Sequence, residues 1–281
     1  MKKKVLIVGL GLLGGSYALA LGKKGYEVTA IDNQEASIAY ALEQKMISKG
    51  SCQVDPLLLS EAELVVLALY PSSILDWVKE HQGHFTSGTI LTDVCGVKGA
   101  LVSGMETVLR EDLFYVGAHP MAGKEVSGVA YADEKIFQKA NFILTPTPKT
   151  DLAALSVVET MAEDMGFRQI SQLSPQEHDK AIGFLSQLTH VIAVSLMNCQ
   201  DNEEYIKYTG DSFRDLTRIA KINQHLWSEL FLENKSMLLG EIENFIEELQ
   251  GFRELLASEN LSAMEEKFVT STNRRKKYDN F

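Results

Sequence analysis

The chain has 281 residues, a hydrophobic share of 45% and a formal net charge of −11. This length predicts one large domain or two ordinary ones, and the acidic balance argues against nucleic acid as a partner. The three cysteines lack the spacing of a zinc site or a disulfide framework, which favours reduced thiols in the cytoplasm. We find no apolar run as long as a bilayer-spanning helix and therefore expect no membrane association.

A glycine motif follows the first predicted strand. Residues 5–8 form a short apolar run typical of a buried strand, and Gly9, Gly11 and Gly14 follow it at the start of a small-residue helix. Gly9 permits a tight turn, Gly11 lets the backbone approach a pyrophosphate, and Gly14 lets the helix pack closely against the strand. The motif therefore predicts a dinucleotide site; the alternative is a glycine turn that binds nothing.

The residues around this motif indicate which dinucleotide would bind. The second predicted strand, residues 27–31, ends at Asp32, whose carboxylate would accept hydrogen bonds from the adenosine ribose and repel the 2′-phosphate of NADP. The pyrophosphate would lie at the start of the first helix, beside Leu12 and Leu13, where backbone N–H groups are free. The sequence therefore predicts NAD as the cofactor.

Strands and helices alternate through the rest of the first half. Further strands are predicted at residues 64–69, 89–91, 113–118, 141–144 and 168–171, with helices at residues 98–109 and 151–165 among them. Leu69, Tyr70 and Pro71 lie where the third strand gives way to another helix, and we expect them to line the cofactor site. The alternation predicts a mostly parallel, doubly wound sheet.

The pattern becomes helical after Ser174 and Pro175, which fit the N-cap and the first position of a helix. Helices are predicted at residues 178–198, 212–220 and 224–251 and near the C-terminus. We therefore expect an α/β, Rossmann-like dinucleotide-binding domain over residues 1–173 and an all-α domain over residues 174–281. Helices this apolar often need a partner surface, so we expect a homodimer formed through the helical domain.

Small and polar residues recur on one face of the first long helix of this second domain. Gly183, Ser186, Gln187 and His190 are spaced i, i+3, i+4 and i+7 in an otherwise apolar stretch. Buried polar groups cost free energy unless they are hydrogen-bonded, so something polar must lie against this face. Either another part of the protein or a substrate fits that requirement.

Two further positions carry side chains suited to chemistry. His119 follows a predicted strand, and a pKa near neutrality would let it accept a proton from an alcohol; the alternative is a structural or surface histidine. Arg214 and Arg218 share one helix face, and a partly buried Arg218 guanidinium would bind a carboxylate; the alternative is a surface ion pair with Asp215. We therefore predict a small acidic hydroxy compound as the substrate, bound between the two domains.

Together the motifs resemble those of the prephenate dehydrogenase family over nearly the full length. The resemblance rests on GLGLLGGS, DVCGVK, HPMAGKE, EHDKAIGFLSQLTH and FRDLTRIA, in chain order. It implies oxidative decarboxylation of prephenate to 4-hydroxyphenylpyruvate in tyrosine biosynthesis, with NAD as the hydride acceptor. The alternatives are an arogenate dehydrogenase, another two-domain NAD-dependent hydroxyacid dehydrogenase, and a redox sensor that binds a nicotinamide without catalysis.

The resemblance also implies roles for individual residues. His119 would be the base, and His190 is a second catalytic candidate. His190 and Ser186 would hold the substrate from the helical side, while Arg218 would bind a substrate carboxylate. The other candidates for substrate binding are Lys124, Arg214 and Gly96.

Glu125 is expected to form a charged network with Asp215 and Arg218 that links the domains. The chain departs from the family pattern at two positions. Gly96 stands where many relatives have serine, and Gln187 stands where they commonly have the first histidine of a pair. We also expect no appended regulatory domain, because little sequence follows the predicted helices.

Overall fold

The computed structural model describes residues 3–279. Its β-strands are β1 (Lys4–Val8), β2 (Glu27–Ile31), β3 (Lys49–Ser51), β4 (Leu64–Leu67), β5 (Ile90–Asp93), β6 (Phe114–Val116), β7 (Ala118–Pro120), β8 (Asn141–Leu144) and β9 (Gln169–Gln172). The first α-helices are α1 (Leu12–Lys23), α2 (Glu35–Glu43), α3 (Pro56–Glu61), α4 (Pro71–His81), α5 (Gly99–Val108) and α6 (Leu152–Met165). The later ones are α7 (Pro175–Ile182), α8 (Thr189–Asn198), α9 (Asp211–Thr217), α10 (Gln224–Glu233), α11 (Lys235–Ala257) and α12 (Leu261–Arg275).

Parallel strands form the central sheet in the order β3-β2-β1-β4-β5-β6. Successive residues of β1 face opposite sides of this sheet. Ile7 joins an apolar core with residues of α1 and α6, whereas Leu6 joins a second core with residues of α3, α4 and α5. Because helices cover both faces, the buried part of β1 is apolar at every position. The predicted parallel, Rossmann-like architecture is confirmed.

A smaller sheet contains β7, β8 and β9, with β7 antiparallel and β9 parallel to β8. The single strand predicted at residues 113–118 is therefore wrong, because the chain passes from the central sheet to the smaller one at Gly117. A Cβ at Gly117 would lie 2.4 Å from the Thr145 hydroxyl oxygen, so a side chain has no room there. As a result His119 lies within β7, paired with Ile143, and not in a loop beyond a strand.

The helical stretch after Ser174 begins as predicted. The Ser174 hydroxyl accepts the Glu177 N–H, and the Glu177 carboxylate accepts the Ser174 N–H, which together make a capping box. Pro175 occupies the first turn, where its missing N–H costs no hydrogen bond. This part of the sequence-based prediction is confirmed.

A π-helical segment, Gly183–Leu188, separates α7 from α8. Its turns are wider than those of an α-helix. Gly183 and Gln187 are buried and Ser186 and His190 are half-buried, whereas the two residues between Gly183 and Ser186 are exposed. That a substrate lies against these four residues stays a prediction.

The stretch Pro175–Asn198 has 24 residues and a mean hydropathy of 1.3, which makes it long and apolar enough for a membrane span by length and composition. The expectation that no segment meets these criteria is wrong. Asp179 and Gln187, however, bind backbone groups of Lys98 and Leu230, as polar residues of a packing helix do. A single helix of this kind is weak evidence for a membrane span.

The later helices differ from prediction at their ends. The helix predicted at residues 212–220 is α9 followed by a 3₁₀ turn, Arg218–Ala220. The helix predicted at residues 224–251 is two helices, α10 and α11, on either side of Asn234. Asn234 is buried, and its amide donates to the backbone oxygen of Asp179 and to the side-chain oxygen of Gln187.

The described chain divides into two compact units at the Asn234–Lys235 bond. The first contains both sheets and the helices through α10. In the second, α11 and α12 form a hairpin held by the Glu248–Lys267 ion pair and by the Phe252 and Phe268 rings, whose centroids are 6.1 Å apart. The predicted division into residues 1–173 and 174–281 stays a prediction.

Candidate active site

The turn between β1 and α1 has the geometry of a phosphate-binding loop. Gly9 has a φ of +97°, and a Cβ there would lie 2.4 Å from the Ala68 carbonyl oxygen. A Cβ at Gly14 would lie 1.9 Å from the Gly9 carbonyl oxygen, so only glycine allows this approach. A Cβ at Gly11, by contrast, would meet nothing within 4 Å. The position just before the first helical turn, which starts at Leu12, is therefore open.

Within the part of the chain that the structure describes, no side chain caps the N-terminus of α1. Leu12 and Leu13 are half-buried in its first turn, so their backbone N–H groups and the helix dipole are available to an anion. Asp32 lies beside this turn at the end of β2: its Oδ2 accepts the Leu10 N–H at 2.6 Å, and its Oδ1 accepts the Gln34 N–H at 2.7 Å. These bonds orient the carboxylate while leaving lone pairs for ribose hydroxyls.

The residues after β4 lie next to the glycine turn. A Cβ at Gly9 would lie 3.3 Å from the Leu69 side chain. Tyr70 is the N-cap residue of α4, and Pro71 is the first residue of that helix. Because β1 and β4 are neighbours where the strand order reverses, this edge is the usual ligand site of an open α/β sheet.

His119 is half-buried in β7 and contacts a second histidine. Its Nδ1 lies 2.9 Å from Nε2 of His178, and the His178 Nδ1 lies 2.8 Å from Oδ1 of Asp179. Burial lowers the pKa of His119 well below its usual value, and the electrostatic effects of His178 and Lys98 lower it further. His119 is therefore neutral near pH 7 and able to accept a proton.

A buried ion pair lies beside this histidine. Lys98 and Asp93 are both fully buried and bonded to each other. The Tyr115 hydroxyl donates to Asp93 Oδ2 at 2.6 Å, and burial together with the Asp93 charge raises the pKa of Tyr115 well above its usual value. Burial likewise raises the pKa of Cys95 to about 12, which leaves its thiol protonated. The positive charge of Lys98 thus contributes to the lowered pKa of His119.

Gly96 faces both His119 and α10. A Cβ at this position would lie 3.7 Å from Nε2 of His119 and 3.3 Å from a methyl group of Leu230. The absence of a side chain at Gly96 therefore leaves space next to Nε2 of His119. This is the ring nitrogen that does not contact His178.

His190 and Ser186 lie on the helical side. The Nδ1 atom of His190 donates to the Ser186 carbonyl oxygen at 2.8 Å, and the ring stacks on Trp227 with centroids 3.6 Å apart. Burial lowers the pKa of His190, so its Nε2 is unprotonated and can accept a hydrogen bond. Gln187, in contrast, binds other parts of the protein: its amide donates to the Leu230 carbonyl and accepts from Asn234.

Arg218 forms an ion pair with Glu125 of the loop after β7. The expected partly buried guanidinium is wrong, since the Arg218 side chain is 62% exposed. The charges of both residues influence His190, which places the pair near that ring. Among the described residues, Asp215 forms no ion pair with either of them, so only two members of the expected network are joined.

The other predicted substrate residues have partners of their own. Lys124 pairs with Asp133 at 2.9 Å. Arg214 pairs with Asp211 and donates to the Thr209 carbonyl. Since α9 ends at Thr217, Arg214 and Arg218 do not share one α-helical face. Arg214 lines a groove of about 390 Å³ with apolar residues of α8 and α9.

Sequence reasoning assigned no individual role to His178, Asp179, Lys98 or Trp227. His178 and Asp179 belong to the EHDKA segment, where a buried histidine followed by a buried acid is unusual at the start of a helix. Their role depends on contacts across at least 59 residues of sequence, so spacing alone could not assign it.

Comparison with known proteins identifies both parts of the chain. A family described as prephenate dehydrogenase, nucleotide-binding domain, matches residues 17–171, and one described as prephenate dehydrogenase, dimerization domain, matches residues 174–270. Prephenate dehydrogenase of Bacillus subtilis is 31% identical over 98% of this chain and 76% of its own length. Cyclohexadienyl dehydrogenase of Zymomonas mobilis is 28% identical over 97% of this chain and 95% of its own.

Solved structures agree over the whole chain. Prephenate dehydrogenase of A. aeolicus, in complex with hydroxyphenyl propionate and NAD⁺, superposes with a TM-score of 0.89 at 31% identity, covering 99% of this chain and 98% of that one. Arogenate dehydrogenase of Synechocystis has a TM-score of 0.83 at 25% identity, covering 98% of this chain and 99% of that one. The chain therefore belongs to the prephenate dehydrogenase family.

Proposed function

We propose that this chain catalyses the NAD-dependent oxidative decarboxylation of prephenate to 4-hydroxyphenylpyruvate in tyrosine biosynthesis, with His119 as the base. The observation that carries the proposal is the His119 imidazole, neutral because of its lowered pKa and open on the side of Gly96. The A. aeolicus relative binds hydroxyphenyl propionate together with NAD⁺, and that ligand shares its hydroxyphenyl ring with the product proposed here.

The glycine turn supports NAD as the cofactor. Gly9, Gly11 and Gly14 would let the pyrophosphate lie against the start of α1, and Asp32 would bind the adenosine ribose. Leu69 and Tyr70 would line the same site. When bound, NAD supplies a hydride acceptor for the ring carbon that carries the substrate hydroxyl.

His119 would take the proton of that hydroxyl as the C–H hydride leaves. The carbon–oxygen bond becomes a carbonyl, the bond to the ring carboxylate breaks, and its electron pair makes the ring aromatic as carbon dioxide departs. The proton returns to the phenol oxygen, so no net acid is needed from the enzyme. A base with a pKa below neutrality remains available throughout the physiological range.

The helical side would hold the substrate. Arg218 is exposed and already binds a carboxylate, that of Glu125, so a substrate carboxylate could take its place. His190 Nε2 and Ser186 would contact the polar groups of the substrate, with His190 held in position by Trp227. Lys124 and Arg214 are further candidates for substrate binding, and each is likewise paired with a carboxylate, that of Asp133 or Asp211. We retain residues 1–173 as the NAD-binding domain and residues 174–281 as the substrate-binding and dimerisation domain.

Arogenate is the second candidate substrate, because an arogenate dehydrogenase and a cyclohexadienyl dehydrogenase are both similar to the chain over nearly its full length. Arogenate differs from prephenate only in carrying an amino group in place of the side-chain keto group. Other hydroxyacid dehydrogenases are more remote: a 3-hydroxyisobutyrate dehydrogenase has a TM-score of 0.56 at 14% identity, which indicates a shared fold alone.

The chain is also proposed to act as a cytoplasmic homodimer. The description of the second matching family as a dimerization domain supports this, as do the exposed apolar residues Ile246 and Leu249 on α11. The few, widely spaced cysteines favour a reducing compartment.

The first test is NADH formation by the purified protein with prephenate or arogenate, each with NAD or NADP. We expect turnover with prephenate and NAD. Turnover with arogenate alone would keep the chemistry and change the substrate, whereas no turnover with either compound would contradict the proposed function.

Replacing His119 with asparagine should lower kcat by on the order of 100- to 10,000-fold, because the proton acceptor is lost. NADH affinity, measured by fluorescence titration, should stay close to that of the wild type, since His119 is not part of the glycine turn. An unchanged kcat would remove His119 from the mechanism. His84→Gln, at an exposed histidine after α4, is the control.

Replacing Asp32 with serine should raise the KM for NAD roughly 10-fold or more, because hydrogen bonds to a charged group are lost. The same change should increase the use of NADP, since the repulsion of its 2′-phosphate is removed. Steady-state kinetics with both cofactors measures the ratio. Glu43→Ala, at the far end of α2, should leave the ratio unchanged, and an unaltered ratio in Asp32→Ser would refute the selectivity argument.

Light scattering after size-exclusion chromatography should give twice the 31.2 kDa chain mass at micromolar concentration. Leu249→Glu should favour the monomer by placing a charge on the exposed apolar face of α11. Leu152→Glu, the same substitution at a more exposed leucine on α6, should not. A wild-type monomer would contradict the homodimer.

A further inference from the structure

A carboxylate and two histidines lie in a row behind the proposed base. Asp179 contacts His178, and His178 contacts the Nδ1 atom of His119. His178 is fully buried and Asp179 nearly so, and neither has a part in the chemistry described above. Buried groups of this kind are expensive unless their polar atoms are satisfied, so the row needs an explanation.

The partners of Asp179 determine its charge. Its Oδ1 accepts the Lys98 N–H at 2.8 Å, and its Oδ2 accepts the Gly99 N–H at 2.7 Å. Gly99 is the first residue of α5, so the carboxylate lies at the positive end of a ten-residue helix, which favours the ionised form. An ionised carboxylate can only accept hydrogen bonds, and the Nδ1 atom of His178 must therefore carry a hydrogen.

The hydrogen on Nδ1 of His178 determines where the other ring hydrogens of His178 and His119 lie. Burial lowers the pKa of His178 despite its bond to Asp179, so the ring is neutral and its Nε2 has a lone pair. The Nδ1 atom of His119, 2.9 Å away, must then donate, which leaves the lone pair of neutral His119 on Nε2. Among residues 3–279 that Nε2 has no hydrogen-bond partner, and it faces the space beside Gly96.

On the basis of the proposed function, we propose that Asp179 and His178 are positioning residues that hold His119 as its Nδ1–H tautomer and take up its charge. When the substrate O–H bond breaks and Nε2 of His119 gains the proton, the Nδ1 proton moves across the hydrogen bond to His178. The resulting imidazolium of His178 forms an ion pair with the Asp179 carboxylate. The reverse transfer restores the neutral pair when the phenol is reprotonated.

The surroundings explain why such a relay is useful. Lys98 lies near enough to disfavour a positive charge on His119, and partial burial of the ring disfavours that charge further. An isolated imidazolium there would be costly, whereas one in contact with a carboxylate is compensated. Moving the positive charge from His119 to His178 thus lowers the free-energy cost of accepting the proton. Before the reaction, His119 remains a weak base.

Two variants test this relay. His178→Gln carries one donor and one acceptor, so it can bind both neighbours but cannot accept a proton. Asp179→Asn removes the charge. We expect each to lower kcat by about 10- to 100-fold, the range found for groups that orient metal-bound histidines, with NADH affinity unchanged. His84→Gln and Asp201→Asn make the same substitutions at exposed positions and serve as controls.

The pH profile of kcat/KM separates charge compensation from a structural role. The titratable groups around the two histidines are Asp93, Cys95, Lys98, Tyr115, Asp179 and Glu233. Asp179 is the anion in direct contact with His178. Without it the protonated histidine pair is less stable, so the acid limb of the Asp179→Asn profile should move to lower pH.

Histidine tautomers in the wild type provide a readout that does not depend on turnover. With six histidines in the chain, long-range ¹H–¹⁵N spectra of the labelled protein, assigned through the His119→Asn and His178→Gln variants, should show both rings as Nδ1–H tautomers. An Nε2–H tautomer at His119, or a wild-type kcat in His178→Gln, would overturn the relay.

Inactivity of the wild type towards prephenate and arogenate would instead contradict the proposed function. The spectra would still show whether His119 has the tautomer that the relay requires. If Asp179→Asn fails to fold, His178→Gln and the spectra suffice.

Discussion

The buried Asp93–Lys98 ion pair is the interaction on which the site depends. A charged pair without access to water is stable only when it is completely hydrogen-bonded, so its geometry tolerates little change. Asp93 also accepts the backbone N–H of Ala118, next to His119, and the backbone N–H of Lys98 donates to Asp179. The same two buried residues therefore hold the strand of the proposed base, β7, and the acid behind it on α7.

The parts of the molecule that could be predicted are those that a few adjacent residues encode. The glycine turn needs a positive φ at Gly9 and a close approach at Gly14, and both requirements are visible as glycines after a strand. The start of α7 is visible for the same reason, because Ser174 and Glu177 cap the helix through their own backbone. The parallel sheet follows from the alternation of apolar runs with helical segments, each of which can be read locally.

The parts that could not be predicted depend on contacts distant in sequence. Nothing near Asn234 breaks the helix periodicity; the break accompanies side-chain bonds to Asp179 and Gln187, which lie about 50 residues earlier. At Gly117, where the chain passes from one sheet to the other, the nearby Thr145 hydroxyl leaves no room for a side chain. His178 is invisible as part of the site because its partner, His119, lies on another element. In each case the missing information is a long-range hydrogen bond or a steric contact.

The two departures from the family pattern meet at one residue of α10. The Leu230 side chain would touch a Cβ placed at Gly96, at 3.3 Å, and the Leu230 carbonyl oxygen accepts the Gln187 amide. A serine at Gly96 would therefore have to displace a methyl group of Leu230 by a few tenths of an ångström, whereas Gln187 holds the backbone of the same residue. Leu230 thus connects the two positions, because its side chain lies against Gly96, beside the proposed base His119, and its carbonyl is bonded to Gln187.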